Sequence, residues 1–313
     1  CEAIELLKTE KYEPKVVHDK ENIIILDVLQ KISKRVIRRL GMTKRVSNVL
    51  YYSNKKELNE VVQEIPVIDI KTKSFAIRLL KRNGISEKEI AIKLGEKVPK
   101  KNKIDLTKPD IKILYYSGEK TIISLWDRDL ETYYTKCLEH HIRYRPFFSP
   151  ISIHPRISRS MVNLSNSTKG DRLIDPFCGT GGILIEIADM QIEAIGIDIL
   201  GKMVENSVGN LKHYNLKGMI MKGDVDNIKN YDFKAIVTDP PYGLSTTTKG
   251  EGVKELMLRS MEIFAKTMKK GLRIVMAVSN PKLINPKDFT LIHKFEWYIH
   301  KSLTRYILVL ERN

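Results

Sequence analysis

The rhythm of apolar and polar positions changes once along the chain, near residue 150. Beyond that point short apolar runs alternate with amphipathic segments. "DRLIDP" predicts a strand and "GGILIEIADM" a helix. "EAIGIDI" and "GKMVENSVGNLKHYN" repeat the pair. "MIMKGDV" and "KAIVTDPP" read as strands, and "VKELMLRSMEIFAKTMKKG" as a long amphipathic helix. "LRIVMAVS" is a further strand, and "FTLIHKFEWYIHKSLTRYILVLER" reads as a terminal strand pair. Such alternation predicts an α/β fold with a doubly wound sheet and right-handed crossovers. Ligands of such sheets lie at the carboxyl ends of the strands.

Before residue 150 the pattern is α+β. "AIELLK" predicts a helix, "NIIILDV" a strand, and "KISKRVIRRLG" a basic helix ending at Gly41. "VSNVLYYS" and "SFAIRLLKR" read as strands. "ISEKEIAIKLGEKV" reads as a helix with Ser86 as N-cap and Glu89 completing a capping box. "DIKILYYSGEKTIISLWD" reads as two strands around a turn. "CLEHHIRYRPFFSPISIHPRIS", dense in Arg, His, Pro and aromatics, lacks periodicity and reads as a linker.

Composition narrows the class. Of 313 residues, 42% are hydrophobic and 29% charged, which fits a globular chain. No run approaches the roughly 18 apolar residues of a membrane span. Cys1, Cys137 and Cys178 show neither metal-ligand spacing nor a disulfide framework, so no metal is expected and a reducing cytoplasm is. The net charge is +16, and residues 28–56 hold nine basic residues and no acidic one. Such a field attracts polyanions, phosphate backbone above all, although a solvated Lys-rich surface would look the same.

Four acids at strand ends carry the chemistry. The loop "DPFCGTGG" (175–182) follows a strand and opens a helix, and its glycines allow close backbone approach to a ligand. It is neither a dinucleotide fingerprint, since Leu184 stands where the third glycine would be, nor a P-loop. Asp175 would repel a pyrophosphate but suits a cationic ligand. S-adenosylmethionine carries an ammonium and a sulfonium beside one carboxylate. Loop N–H groups would take that carboxylate and Asp175 would lie near the ammonium. Asp198 ends the next strand and could accept ribose hydroxyls. Asp224 in "KGDVDNI" could accept an adenine amino hydrogen or simply cap a helix. In "TDPPYG", Asp239 and the Pro240 carbonyl offer two acceptors to an exocyclic amine on a rigid turn, and Tyr242 offers a ring for stacking. Cys178 reads as a small buried thiol, not a nucleophile. His154 reads as a structural residue ahead of a ligand or base. "STTTKGEG" reads equally as a lid or a surface loop.

"DPFCGTGG", "GIDI", "GDV" and "TDPPYG", in that order after "HPRISRSMVNLS", resemble class I amino-methyltransferases, and most closely the archaeal tRNA (guanine10-N2)-methyltransferase family. The resemblance implies a Rossmann-like methyltransferase domain at 151–313 that uses S-adenosyl-L-methionine. Cofactor contacts are implied for Asp175, Pro176, Phe177, Gly179, Thr180, Gly181, Asp198, Ile199, Asp224 and Val225. Asp239, Pro240 and Tyr242 would receive guanine N2. Residues 59–128 resemble a THUMP RNA-binding domain, with 129–150 as linker. Residues 1–58 would be a ferredoxin-like domain, expected to lack its first strand because the chain opens on Cys1 rather than Met. tRNA is then the expected partner, facing Lys31, Arg35, Arg38, Arg39, Lys73, Arg78, Lys81 and Arg82. No membrane and no obligate protein partner are expected. A DNA adenine-N6 or cytosine-N4 methyltransferase also uses "DPPY", and a non-catalytic RNA-binding protein on a degenerate fold is a further alternative. An NAD-dependent oxidoreductase is disfavoured by Leu184 and Asp175.

Overall fold

A computed structural model describes the chain except for residues 56, 82–83, 85, 150–151, 242–251, 285–286 and 301–302. The chain forms two compact units. One comprises Cys1–Tyr12, Arg39–Met42 and Tyr133–Asn313, the other Glu13–Arg38 and Thr43–Thr132. The chain enters the first unit with α1 (Glu2–Thr9).

The second unit opens with the hairpin of β1 (Lys15–Lys20) and β2 (Ile23–Asp27), followed by α2 (Lys34–Ile37). It continues through β3 (Asn48–Ser53), α3 (Leu58–Glu64), β4 (Phe75–Leu79), α4 (Glu87–Gly95), β5 (Ile111–Ser117) and β6 (Thr121–Asp127). A four-stranded sheet of order β3-β6-β5-β4 results, in which only β4 and β5 run parallel. Leu58, Val61, Ile90 and Leu94 from the helices bury against Ile77, Ile113 and Ile123 of the sheet. The strand ahead of residue 58 thus shares a sheet with the strands after it, and that sheet crosses the domain division expected at residue 58.

The first unit continues through α5 (Tyr133–Lys136), α6 (Pro155–Leu164), β7 (Arg172–Asp175), α7 (Gly182–Asp189), β8 (Glu193–Asp198) and α8 (Gly201–His213). Then follow β9 (Met219–Lys222), β10 (Ala235–Thr238), α9 (Val253–Thr267), β11 (Arg273–Val278), β12 (Phe289–His300) and β13 (Leu303–Arg312). The seven strands lie in the order β12-β13-β11-β10-β7-β8-β9, and only β13 runs against its neighbours. Period-two side chains fill both faces of the sheet. Leu173, Val237, Val275, Ala277 and Val309 pack with α6 and α7. Ile174, Ile236, Ile274, Met276 and Leu308 pack with Met257, Met261 and Phe264 of α9. This is the doubly wound α/β sheet that the alternation predicted.

Four local expectations differ from the structure. The basic helix ending at Gly41 is only the single turn of α2, capped by Ser33, and the chain leaves it so that Arg39 can bury in the first unit. There Arg39 donates to Glu10 at 2.7 Å, Asn163 at 3.1 Å and the Ser167 carbonyl at 3.0 Å. Second, α1 belongs with the large sheet: Leu6 and Leu7 are buried, and Glu2 accepts from the amides of Gly41 and Met42 and from Asn163. Third, from Tyr133 onward the aperiodic segment read as a linker is part of the first unit. Tyr133 Oη donates to the fully buried Glu186 at 2.8 Å, and Arg159 reaches the same carboxylate at 3.2 Å. Fourth, Ser86 stands at the N-cap of α4 but makes no side-chain hydrogen bond there, so the capping box expected with Glu89 does not form; Glu89 pairs with Lys93 instead.

Candidate active site

The order of strands reverses between β7 and β10, so the loops that leave them diverge. A cavity of about 350 Å3 lies there within the first unit. Asp175, Asp198, Asp224 and Asp239 all border it, with Pro176, Phe177, Gly179, Thr180, Ile199, Val225 and Pro240. Sequence reasoning placed these residues on one sheet edge, and the fold brings them around one space. Gly181 is not part of the wall; it is the left-handed N-cap of α7 at φ +80°, and Gly179 also has positive φ at +52°. Both positions favour glycine because the loop turns from β7 into α7 through the left-handed region, and at Gly181 a Cβ would also run into Ser207.

Asp175 is almost fully buried at the end of β7. Its Oδ1 accepts from the Thr238 hydroxyl at 2.6 Å and from the Phe177 amide at 3.1 Å. Burial outweighs both bonds and pushes its carboxyl up to about 7. Asp198 is held at both oxygens: the Gly179 amide donates to Oδ2 at 2.9 Å and the Leu200 amide to Oδ1 at 2.9 Å. Burial raises it as well, against those two bonds. The loop amides are thus spent differently from the sequence expectation. Gly179 N–H serves Asp198, and Gly181 N–H donates to the Cys178 carbonyl at 2.8 Å.

Asp224 realises the capping role weighed from the sequence. It caps the turn Val225–Asn230, accepting from the Val225 amide at 2.6 Å, while Asn227 accepts from the Asp224 amide. Arg259 of α9 pairs with it at 3.1 Å. Asp224 still borders the cavity.

Asp239 follows β10 and touches the cavity with Pro240 and Pro241. Its Oδ1 has no hydrogen-bond partner among the described residues. Arg305 of β13 stands 3.9 Å from Oδ2. Burial, seconded by Asp175, raises this carboxyl well above the ordinary range, and Arg305 opposes that rise. Tyr242 and the "STTTKGE" stretch lie outside the described residues.

Cys178 is buried, and burial pushes its thiol up, which disfavours the thiolate a nucleophile needs. His154 caps α6, accepting from the Arg156 amide at 3.2 Å, and burial lowers its imidazole to about 4. Sequence reasoning missed Thr238, Arg259 and Arg305, which steady three of the four acids. Thr238 stood beside a motif and could have been found; Arg259 and Arg305 sit inside ordinary helix and strand patterns.

Of the basic residues expected to face tRNA, Lys31, Arg35, Arg38 and Lys81 are exposed in the second unit. Lys81 pairs with Glu21, Lys73 with Asp127 at 2.5 Å, and Arg78 donates to the Leu106 carbonyl at 2.7 Å. Arg82 lies outside the described residues. Arg39 is the correction: buried and bonded on three sides in the first unit, it presents no charge to a phosphate.

The chain is similar to several known proteins. The family described as UPF0020: RMKL-like, methyltransferase domain, matches residues 143–290. The tRNA (guanine(10)-N2)-dimethyltransferase of Methanothermobacter thermautotrophicus is 31% identical over 98% of this chain and 94% of its own length. That of Methanocaldococcus jannaschii is 34% identical over 80% of this chain and 73% of its own. Among solved structures, TrmN from Thermus thermophilus shares the fold over 99% of this chain and 96% of that one, with a TM-score of 0.59 at 16% identity. The likeness to the Methanothermobacter enzyme runs through almost the whole of both chains, and the chain belongs to the archaeal tRNA (guanine(10)-N2)-dimethyltransferase family.

Proposed function

We propose that the protein transfers methyl groups from S-adenosylmethionine to the exocyclic N2 of guanosine 10 in tRNA, first once and then a second time. The observation that carries the reading is Asp239: a carboxylate with one unpartnered oxygen, on a proline-stiffened corner, sharing one cavity with three further acids.

The cavity's residues fit the donor. Asp175 would face its ammonium, because a buried carboxyl poised near neutrality ionises when a cation arrives. Each Asp198 oxygen takes one amide and keeps acceptor capacity for the ribose hydroxyls. Asp224, Ile199 and Val225 would border the adenine. When bound, S-adenosylmethionine supplies an electrophilic methyl group on a cationic sulfur.

The chain's own residues do the rest. Asp239 and the Pro240 carbonyl each accept one hydrogen of the guanine amine, which fixes the nitrogen's direction of approach. As the new N–C bond forms the nitrogen sheds a proton, and Asp239 takes it. Its raised affinity for protons makes it a better base than a solvated carboxylate. Tyr242 would stack on the base. The second unit would bind the tRNA body through its exposed Lys31, Arg35 and Arg38, as a THUMP-like module working in the cytoplasm.

Incubating the protein with donor and unmodified tRNA, then digesting the product for mass spectrometry, tests this directly. N2-methylguanosine and N2,N2-dimethylguanosine at position 10 are expected. A methylated adenine or cytosine, or equal methylation of duplex DNA, would overturn the reading.

A further inference from the structure

Arg305 is a buried charge of the first unit. It lies within β13, is 4% exposed, and stands directly across from Trp297 of β12 in the antiparallel register. Its guanidinium carbon is 6.0 Å from the centre of the Trp297 ring. Burying a guanidinium is costly unless an anion shares the site. An anion that does so is Asp239, whose Oδ2 is 3.9 Å from Arg305 Nη2.

We infer that Arg305 is a positioning residue for methyl transfer: it stands as the opposite charge against Asp239 Oδ2 and so leaves Oδ1 to the guanine amine. The inference rests on the proposed role of Asp239 as amine acceptor. Among the described residues, Arg305 and Asp175 bear on Asp239, and they oppose each other. Asp175, across the strand ends, favours its neutral form, and Arg305 favours its anion. A neutral Asp239 could still accept one hydrogen bond but could not take the amine proton. Arg305 stays charged at any working pH, so it biases Asp239 without titrating itself. It exchanges no proton with substrate; the amine proton passes to Asp239 and from there to water.

The test uses the full chain with a tRNA transcript, and compares the parent with Arg305→Gln, Arg305→Lys and Asp239→Asn. Two quantities are read: the pH profile of kcat at saturating donor and tRNA, and the 13C carboxyl titration of Asp239 in the protein alone, assigned by difference from Asp239→Asn. Loss of the guanidinium is expected to move the acid limb of kcat, and the carboxyl titration with it, upward by about one to three pH units. At pH 7 the kcat of Arg305→Gln should fall about 10- to 100-fold with little change in KM, and recover at high pH. Arg305→Lys should return the limb close to the parent's. If Arg305→Gln does not fold, Arg305→Lys carries the test alone, and a limb displaced as far as one pH unit would contradict the inference. A uniform loss of rate with limb and titration unmoved, or a parental rate in Arg305→Gln, overturns the role of Arg305 while leaving Asp239 in place. A parental rate in Asp239→Asn overturns the reading of Asp239 itself, and this inference falls with it.

Discussion

Thr238 Oγ1 donates to Asp175 Oδ1 at 2.6 Å, joining the last residue of β10 to the last residue of β7. The hydroxyl steadies the acid of the cofactor loop, and it precedes the acid of the "DPPY" corner by one residue. One bond therefore ties the two loops that the proposed reaction must bring together. Replacing Thr238 by Val keeps the shape and removes the donor. The Asp175 carboxyl should then rise above its value of about 7. Affinity for S-adenosylmethionine at pH 7, read by calorimetry, should fall about 3- to 10-fold, since a hydrogen bond to a charged group contributes roughly 1.5–3 kcal/mol and part is recovered on rearrangement. The deficit should shrink by pH 9.

The same carboxyl sets a pH dependence in the parent. Its pKa of about 7 means that much of the free protein carries Asp175 protonated at neutral pH. A cationic donor requires the anion, so binding expels a proton wherever the free group is protonated. Donor affinity should be flat above about pH 7.5. Below that it should weaken as pH falls, by up to about 10-fold per pH unit. Calorimetry at pH 6 in two buffers of different ionisation enthalpy should show proton release.

Asp175 also costs stability, and the sign follows from its raised pKa. Below the ordinary aspartate value the group is protonated whether folded or unfolded, and it is neutral to stability. Between about pH 4 and 7 the unfolded chain releases the proton and the folded chain does not, so folding is increasingly opposed. Above 7 the penalty is complete, up to about 4 kcal/mol for a fully buried group. Asp175→Asn can still accept from Thr238 and Phe177. At pH 8 this variant should melt several degrees higher than the parent without donor, and at pH 4 the two should coincide. It should bind donor poorly.

Much of this was legible in the sequence, and the failures share a cause. Strand–helix alternation fixed the type of sheet because each element buries one face at its own period. "DPFCGTGG" and "TDPPYG" were legible because glycine and proline restrict the backbone locally. Arg39 was misread because nine basic residues in one run look alike; only its partners Glu10 and Asn163, distant in sequence, bury it. Tyr133 and the residues after it were taken for a linker because their order comes from Glu186 and not from any period. Arg305 was invisible for the same reason: its meaning depends on a residue 66 positions earlier, Asp239.

The basic run therefore splits into two classes with different outcomes. Replacing Lys31, Arg35 and Arg38 together by Gln should leave the melting temperature within about 2 °C, because exposed charges contribute little to stability. It should lower the salt dependence of tRNA binding, reducing the slope of log K against log salt by about 2 to 3. Arg39→Gln should instead destabilise the fold by about 3 kcal/mol, since it removes the guanidinium that pairs with the largely buried Glu10 carboxylate. Any effect of it on tRNA binding should disappear in the fraction that is folded. Filter binding across salt concentrations, beside thermal melts, separates the two.

The central claim is that one cavity at the strand ends holds the methyl donor against Asp175 and Asp198 and opens onto Asp239. A crystal structure with S-adenosylhomocysteine tests it most directly. The account predicts the amino group within hydrogen-bond reach of Asp175, the ribose hydroxyls on Asp198, and the sulfur facing Asp239 and the Pro240 carbonyl. A ligand lodged outside that cavity, or a Pro240 carbonyl turned away from the sulfur, would contradict it.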